Sequence, residues 1–330
     1  MPTFCRHNRF IERCPICRQT LPGNEPAGAS SARAKVSARP RSGGERPART
    51  RVRSEGMRIR HEGRAVDDGY RCELVPGLRA SADALRLAEE IAFSSGRLLA
   101  LAADPPGLYG EIRALAGEDL ERATWACFLT AYLCPTEDEE PFAGIRRALA
   151  ADPGELIDLD GVQLGPRTSH DSARGADTLN AYRQWVARAG GAQALAFVGD
   201  PTWSAQRRFE RLFERLALPG FTRAARYELL VLAGRLGLYE LSGDSLHLAG
   251  ARGLSGEDAT TLAAKRIFGI GDPMLLERRS AALAQAASVP VEALDLALDN
   301  WVSPQRATLG FPPQSTDDAA FERAGAALGL

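Results

Sequence analysis

Four side chains within residues 5–17, Cys5, His7, Cys14 and Cys17, have the types and spacing of a closed tetrahedral zinc site. CysProIleCys is a knuckle, in which two intervening residues let both thiolates face one metal. Four ligands leave no open position for a reacting water, so the expected Zn2+ is structural. Arg6, Arg9, Arg13 and Arg18 would offset the thiolate charge, and His61 and Cys72 are alternatives to His7 as ligand. A second group lies in FERLFERLALPGFTRAARYELL (209–230), where two apolar helical stretches flank Leu218-Pro219-Gly220-Phe221. A Gly-containing turn that opens a helix can aim backbone N–H groups at a DNA phosphate, with Gly220 and Thr222 at the turn. Arg207, Arg208, Arg211, Arg215, Arg223 and Arg226 surround it and could neutralise further phosphates. The alternative is a turn between core helices with a solvated arginine face.

The elements that must position these groups are helical. The 330 residues are 45% hydrophobic and 25% charged, ordinary for a globular protein. No apolar run approaches the roughly 18–20 residues of a membrane span. The first residues carry no apolar segment of a secretory leader, so a cytoplasmic protein is expected. In that reducing setting the six cysteines are no disulfide framework, and Cys72, Cys127 and Cys134 read as core residues. The net charge of −1 announces no nucleic-acid partner, but residues 30–60 carry ten Arg/Lys against two Glu. Residues 1–20 read as the zinc knuckle. Residues 21–56, rich in Pro, Gly, Ser and Arg, read as a disordered basic linker. Residues 57–78 look extended, with a turn at 67–69. Apolar spacing then predicts helices from Ser81 and over 108–116, 118–134, 142–150, 175–190, 204–217, 222–236, 257–268, 273–287 and 290–301. The expected fold is mainly α, residues 57–330 forming one helical domain whose hairpin spans about 209–235.

Several segments together resemble the alpha-glutamyl/putrescinyl thymine pyrophosphorylases, a divergent branch of the helix–hairpin–helix DNA glycosylases. They are CysArgHisAsnArg and CysProIleCys, ThrTrpAlaCysPheLeuThrAlaTyrLeu (124–133), GlyProArgThrSerHisAsp (165–171), AlaTyrArgGlnTrp (181–185), the 207–221 stretch, and LysArgIlePheGlyIleGlyAspPro (265–273). The resemblance covers nearly the whole chain except the linker. It implies a helical glycosylase-like core and DNA carrying modified bases as partner, with no membrane and no obligate protein partner. In such glycosylases LeuProGly opens the hairpin and a catalytic aspartate follows slightly over twenty residues later. Asp244 lies 24 residues after Gly220 and would stabilise a cationic sugar or activate water. Asp272, after GlyIleGly, is the rival, although it also suits a cap for a helix starting at Pro273. The family's lyase lysine would fall at Ala224, and Lys265 is the only lysine beyond residue 35, so a monofunctional hydrolase is expected; Lys265 is also a DNA-contact candidate.

A flipped base needs a stacking slot and a few polar readers. Trp125 and Tyr182, on aromatic stripes at helical spacing, are stacking candidates, although such stripes are more often core. His170 and Asp171 are reading candidates. The leading expectation is a glycosylase that excises a modified pyrimidine of phage type, for which the resemblance implies a role in anti-phage defence. One alternative substitutes a group on a modified thymine, in a pyrophosphorylase-type reaction. Another is a DNA-binding module without catalysis.

Overall fold

Short polar side chains start half of the helices. In the computed structural model, which describes residues 65–151, 159–248 and 258–330, there are twelve helices and no strand among the described residues. They are α1 (Ser81–Ala103), α2 (Leu108–Ala116), α3 (Leu120–Leu133), α4 (Ala143–Leu149), α5 (Gly175–Arg188), α6 (Gln193–Val198), α7 (Ala205–Arg215), α8 (Arg223–Arg235), α9 (Ala259–Phe268), α10 (Pro273–Ala287), α11 (Val291–Val302) and α12 (Asp318–Leu328). Asp119, Ser204, Thr222, Asp258, Asp272 and Asp317 each accept a backbone N–H three residues on. Each such cap contributes about 1 kcal/mol. Helix α1 starts at Ser81, as its apolar spacing predicts, but without a side-chain cap of its own. Ser81 is the first helical residue, and its N–H and hydroxyl both donate to Asp68 Oδ2, so the aspartate caps α1 from outside the helix.

Helices α3, α8 and α11 are enclosed. In α3 every residue from Ala123 to Leu133 is buried, and in α11 every residue from Glu292 to Trp301. A helix apolar on one stripe needs one partner, but a helix buried all round needs several. Accordingly α11 packs against α1, α9 and α10, and α3 against α2, α4 and α8, while α12 closes over α1 and α10. Most of the charge in this interior is paired, as where Arg97 of α1 is bonded to Glu228 of α8. Burying an ion unpaired would cost several kcal/mol.

Cys127 and Cys134 are buried free thiols, and Cys72 lies half-buried with its Sγ donating to the carbonyl of Ala327. Cys5, His7, Cys14, Cys17, His61 and the basic linker lie outside the described residues. Among the described residues no group of three or more His, Cys, Asp or Glu is arranged to hold a metal. No single described helix is long and apolar enough to cross a membrane.

Candidate active-site pocket

Helices α7 and α8 meet at the LeuProGly turn, as the sequence predicts, but the turn faces inward. Gly220 has φ +74, and a Cβ there would stand 2.1 Å from Thr178 Oγ1 on α5. The Ser169 hydroxyl donates to the Gly220 carbonyl at 2.7 Å and accepts the Thr222 N–H at 2.8 Å. The Phe221 N–H donates to Leu218 O, and the Thr222 hydroxyl accepts the Ala225 N–H. Residues 165–171 are thereby clamped to the turn, and the amides of Phe221 and Thr222 already have partners. This corrects the expectation that the turn offers those groups to a phosphate.

Three of the arginines expected on DNA are also buried. Arg223 is 4% exposed. It donates to Asp295 on α11 and to Thr260 Oγ1 and pairs with Asp258 at 2.8 Å, while its Nη1 donates to Leu246 O at 2.9 Å. Arg167 completes the network by reaching Asp295 at 2.7 Å and Asp299 at 3.2 Å. Burial alone would raise both acids; the two guanidiniums hold Asp295 below the usual carboxylate range, whereas Asp299 stays raised. Arg226 lies over the Phe213 ring at 4.4 Å, and burial pulls its pKa down to about 10. Arg208 donates to the carbonyls of Val198 and Glu240. A guanidinium so enclosed cannot reach a phosphate. Arg207 and Arg215 remain exposed, and Arg211 is paired with Glu214.

These buried groups hold the loop 240–248. Besides the ties from Arg208 to Glu240 O and Arg223 to Leu246 O, Tyr227 donates to Ser245 O at 3.1 Å and Gly243 N–H donates to Glu292. Glu277 of α10 accepts from Ser245 Oγ and Leu246 N–H, both at 2.9 Å, and from Leu248 N–H. The loop is irregular yet pinned along its length. Within it Asp244 is exposed and makes no hydrogen bond or ion pair among the described residues.

Asp244 lines a polar pocket of about 320 Å3 together with Ser204, Gln206, Arg207, Glu210, Ser245 and His247. The structure thus brings together Asp244 and Arg207, which the sequence proposes separately, and adds Glu210 and His247, which it does not. His247 stacks on Phe213 at 4.3 Å and takes φ +55; its Nε2 is buried without a partner. Burial lowers its pKa, so the ring is held neutral. The pocket therefore offers two carboxylates, Asp244 and Glu210, an imidazole and one guanidinium.

The remaining candidates lie elsewhere. Trp125 and Tyr182 are core: Tyr182 stacks on Phe128 at 3.7 Å and donates to Gln193, and Phe128 in turn stacks on Trp125 at 5.3 Å. No face is left for a base, which corrects their assignment as platforms. His170 Nδ1 is 2.9 Å from the Tyr132 hydroxyl, and burial lowers its pKa. Asp171 accepts the Ala173 N–H in a local turn. Asp272 caps α10 by accepting the Leu275 N–H at 3.0 Å. The GlyIleGly turn before it is open: Gly269, Gly271 and Asp272 are exposed, and the amides of Ile270 and Gly271 have no partner among the described residues. Met274, 78% exposed, projects beside it, with Lys265 and Arg266 in the last turn of α9.

The residues missed left two signals. Asp295 and Asp299 stand four apart in the otherwise apolar ValGluAlaLeuAspLeuAlaLeuAsp, which marks buried, paired carboxylates. His247 follows Asp244 by three residues in the loop already singled out.

Residues 166–309 match the family model described as alpha-glutamyl/putrescinyl thymine pyrophosphorylase clade 3. The match is shorter than the resemblance expected from the sequence, since the CysProIleCys segment and residues 124–133 fall outside it. Both hairpins, the Asp244 loop and the Arg167–Arg223 network fall inside it. A larger, mainly aliphatic cleft of about 380 Å3 between α2, α3 and α4 lies wholly outside. No curated protein and no solved structure matches the chain.

Proposed function

We propose that this chain is an enzyme acting on a modified thymine in DNA, of the class for which the family it resembles over residues 166–309 is named. The reaction is substitution at the exocyclic carbon of a thymine that carries a pyrophosphate ester. An amine attacks that carbon, the carbon–oxygen bond breaks, and pyrophosphate leaves with the bonding electrons. The amine's proton is taken up by a base, and the sugar–base bond stays intact.

The observation that carries this reading is the family match over the segment that contains the Asp244 pocket. In that pocket Asp244 is the base that accepts the amine's proton. Arg207 offsets charge on the departing pyrophosphate. Neutral His247 walls the pocket beside them. Backbone contacts to DNA are assigned to the open turn 269–272 with Lys265 and Arg266, and to Arg207, Arg211 and Arg215 on α7. Base excision, the leading expectation from sequence, has less support, because the family name describes pyrophosphate chemistry and neither proposed stacking aromatic is accessible.

The test is a duplex bearing one 5-hydroxymethyluracil pyrophosphate, incubated with the full chain and either glutamate or putrescine. Substitution releases pyrophosphate and adds the amine's mass to the base, without alkali-labile sites. Alkali-labile strands without amine incorporation would replace this reading with excision. Binding without either product would leave a DNA-binding module. Asp244→Asn is expected to lower kcat at least ~100-fold with an unchanged melting temperature.

A further inference from the structure

We infer that Glu277 on α10 is the positioning residue that fixes Asp244 and His247 in the pocket; the inference rests on the reading of that pocket as the active site. Its carboxylate accepts from Ser245 Oγ and Leu246 N–H on one side of His247 and from Leu248 N–H on the other. The residue between these clamps is the one that takes φ +55, a conformation that side-chain-bearing residues seldom adopt. A non-glycine residue stays there only where its surroundings over-determine it. Glu277 is half-buried and pairs with no cation among the described residues. Its charge is met by these loop donors alone, so the charge and the loop geometry depend on each other. The other ties act at single points: Glu292 at Gly243, Tyr227 at Ser245 and Arg223 at Leu246. Only Glu277 spans His247, and Asp244 directly precedes the clamped stretch.

Glu277→Gln and Glu277→Asp in the full chain test this. In Glu277→Gln the amide nitrogen cannot accept, so one side of the clamp opens. Backbone exchange at Leu246 and Leu248 should quicken at least ~10-fold. The His247 titration, followed by NMR, should move to lower pH. The groups that bear on that ring are Glu277 of α10, Arg223 of α8, Glu210 of α7 and Asp244 of its own loop, and only the first changes. On the pyrophosphate-bearing duplex kcat should fall ~10–100-fold with KM within about twofold, as expected when reacting groups are misplaced rather than binding lost. Glu277→Asp keeps the charge, so the titration should stay while exchange quickens; it reads the same signals should the Gln variant fail to fold. Unchanged exchange at both amides, or kcat within twofold of an active wild type, overturns the inference. A wild type inactive on that duplex, with exchange and titration shifted as described, overturns the functional reading and leaves the clamp standing.

Discussion

The molecule carries two hairpins of similar outline and opposite character. Between α7 and α8, LeuProGly turns into the protein: its glycine faces Thr178, the Thr222 amide meets Ser169, and the following Arg223 is surrounded by carboxylates. Between α9 and α10, GlyIleGly turns outward, with amides and an exposed Met274 at its tip. Sequence likeness to a DNA-binding turn therefore does not establish contact with DNA. What distinguishes the two is whether another segment, here residues 165–171, has already bonded to the turn.

The sharpest way to break this contrast is at Arg223. Its removal in Arg223→Ala leaves Asp258 without its cation and Asp295 with Arg167 alone, and unfolding free energy should drop by about 3–5 kcal/mol in urea titrations. A phosphate-contacting arginine would instead weaken DNA binding and leave the urea midpoint in place. Next come the two glycines. Gly220→Ala, strained at φ +74 and crowded by Thr178, should lower stability by about 1–3 kcal/mol. Gly271→Ala meets nothing within 4 Å and should stay within about 0.5 kcal/mol. Equal costs at the two turns would remove the distinction. A third measurement concerns salt. Replacing both Lys265 and Arg266 by Ala should reduce the slope of log affinity against log salt by about 1–2. The smallest effect is in pH. His170 and His247 have pKa values lowered by burial, so the unfolded chain binds protons more readily. Their contribution is complete above the unfolded value of about 6.5 and is lost as pH falls below it. His247→Asn should flatten stability measured between about pH 6.5 and 5.

Local chemistry made most helices legible in advance. Caps at Ser204, Thr222 and Asp272, together with apolar spacing, place α7, α8 and α10 within about two residues. α6 escaped because six residues are too few for a periodic signal, whereas α12 has a local signal in its Asp317 cap and AspAlaAlaPheGluArg start. The site was half legible. Asp244 and Arg207 stand out by type and position. The fate of the arginines could not be read, because arginine spacing on a helix shows where charge lies and not what faces it. The partner that buries Arg223 is 72 residues away on α11. Nor does LeuProGly carry any mark of Ser169, 51 residues upstream of Gly220, on which its inward turn depends.

The packing of α11 against α1 joins the segment that matches the family model to the residues before it. The family match begins at residue 166, yet α1, α2 and α3 lie upstream of it, and α8 and α11 need α3 and α1 to cover them. Glu228 inside the matched segment finds its cation in Arg97 outside, and the carbonyl of Leu309 at the segment's end accepts from Tyr109. The matched segment is thus smaller than the packed helical body that encloses it. A fragment trimmed to residues 166–309 would carry every group assigned to the chemistry, and it would expose the apolar faces that α1 and α3 enclose.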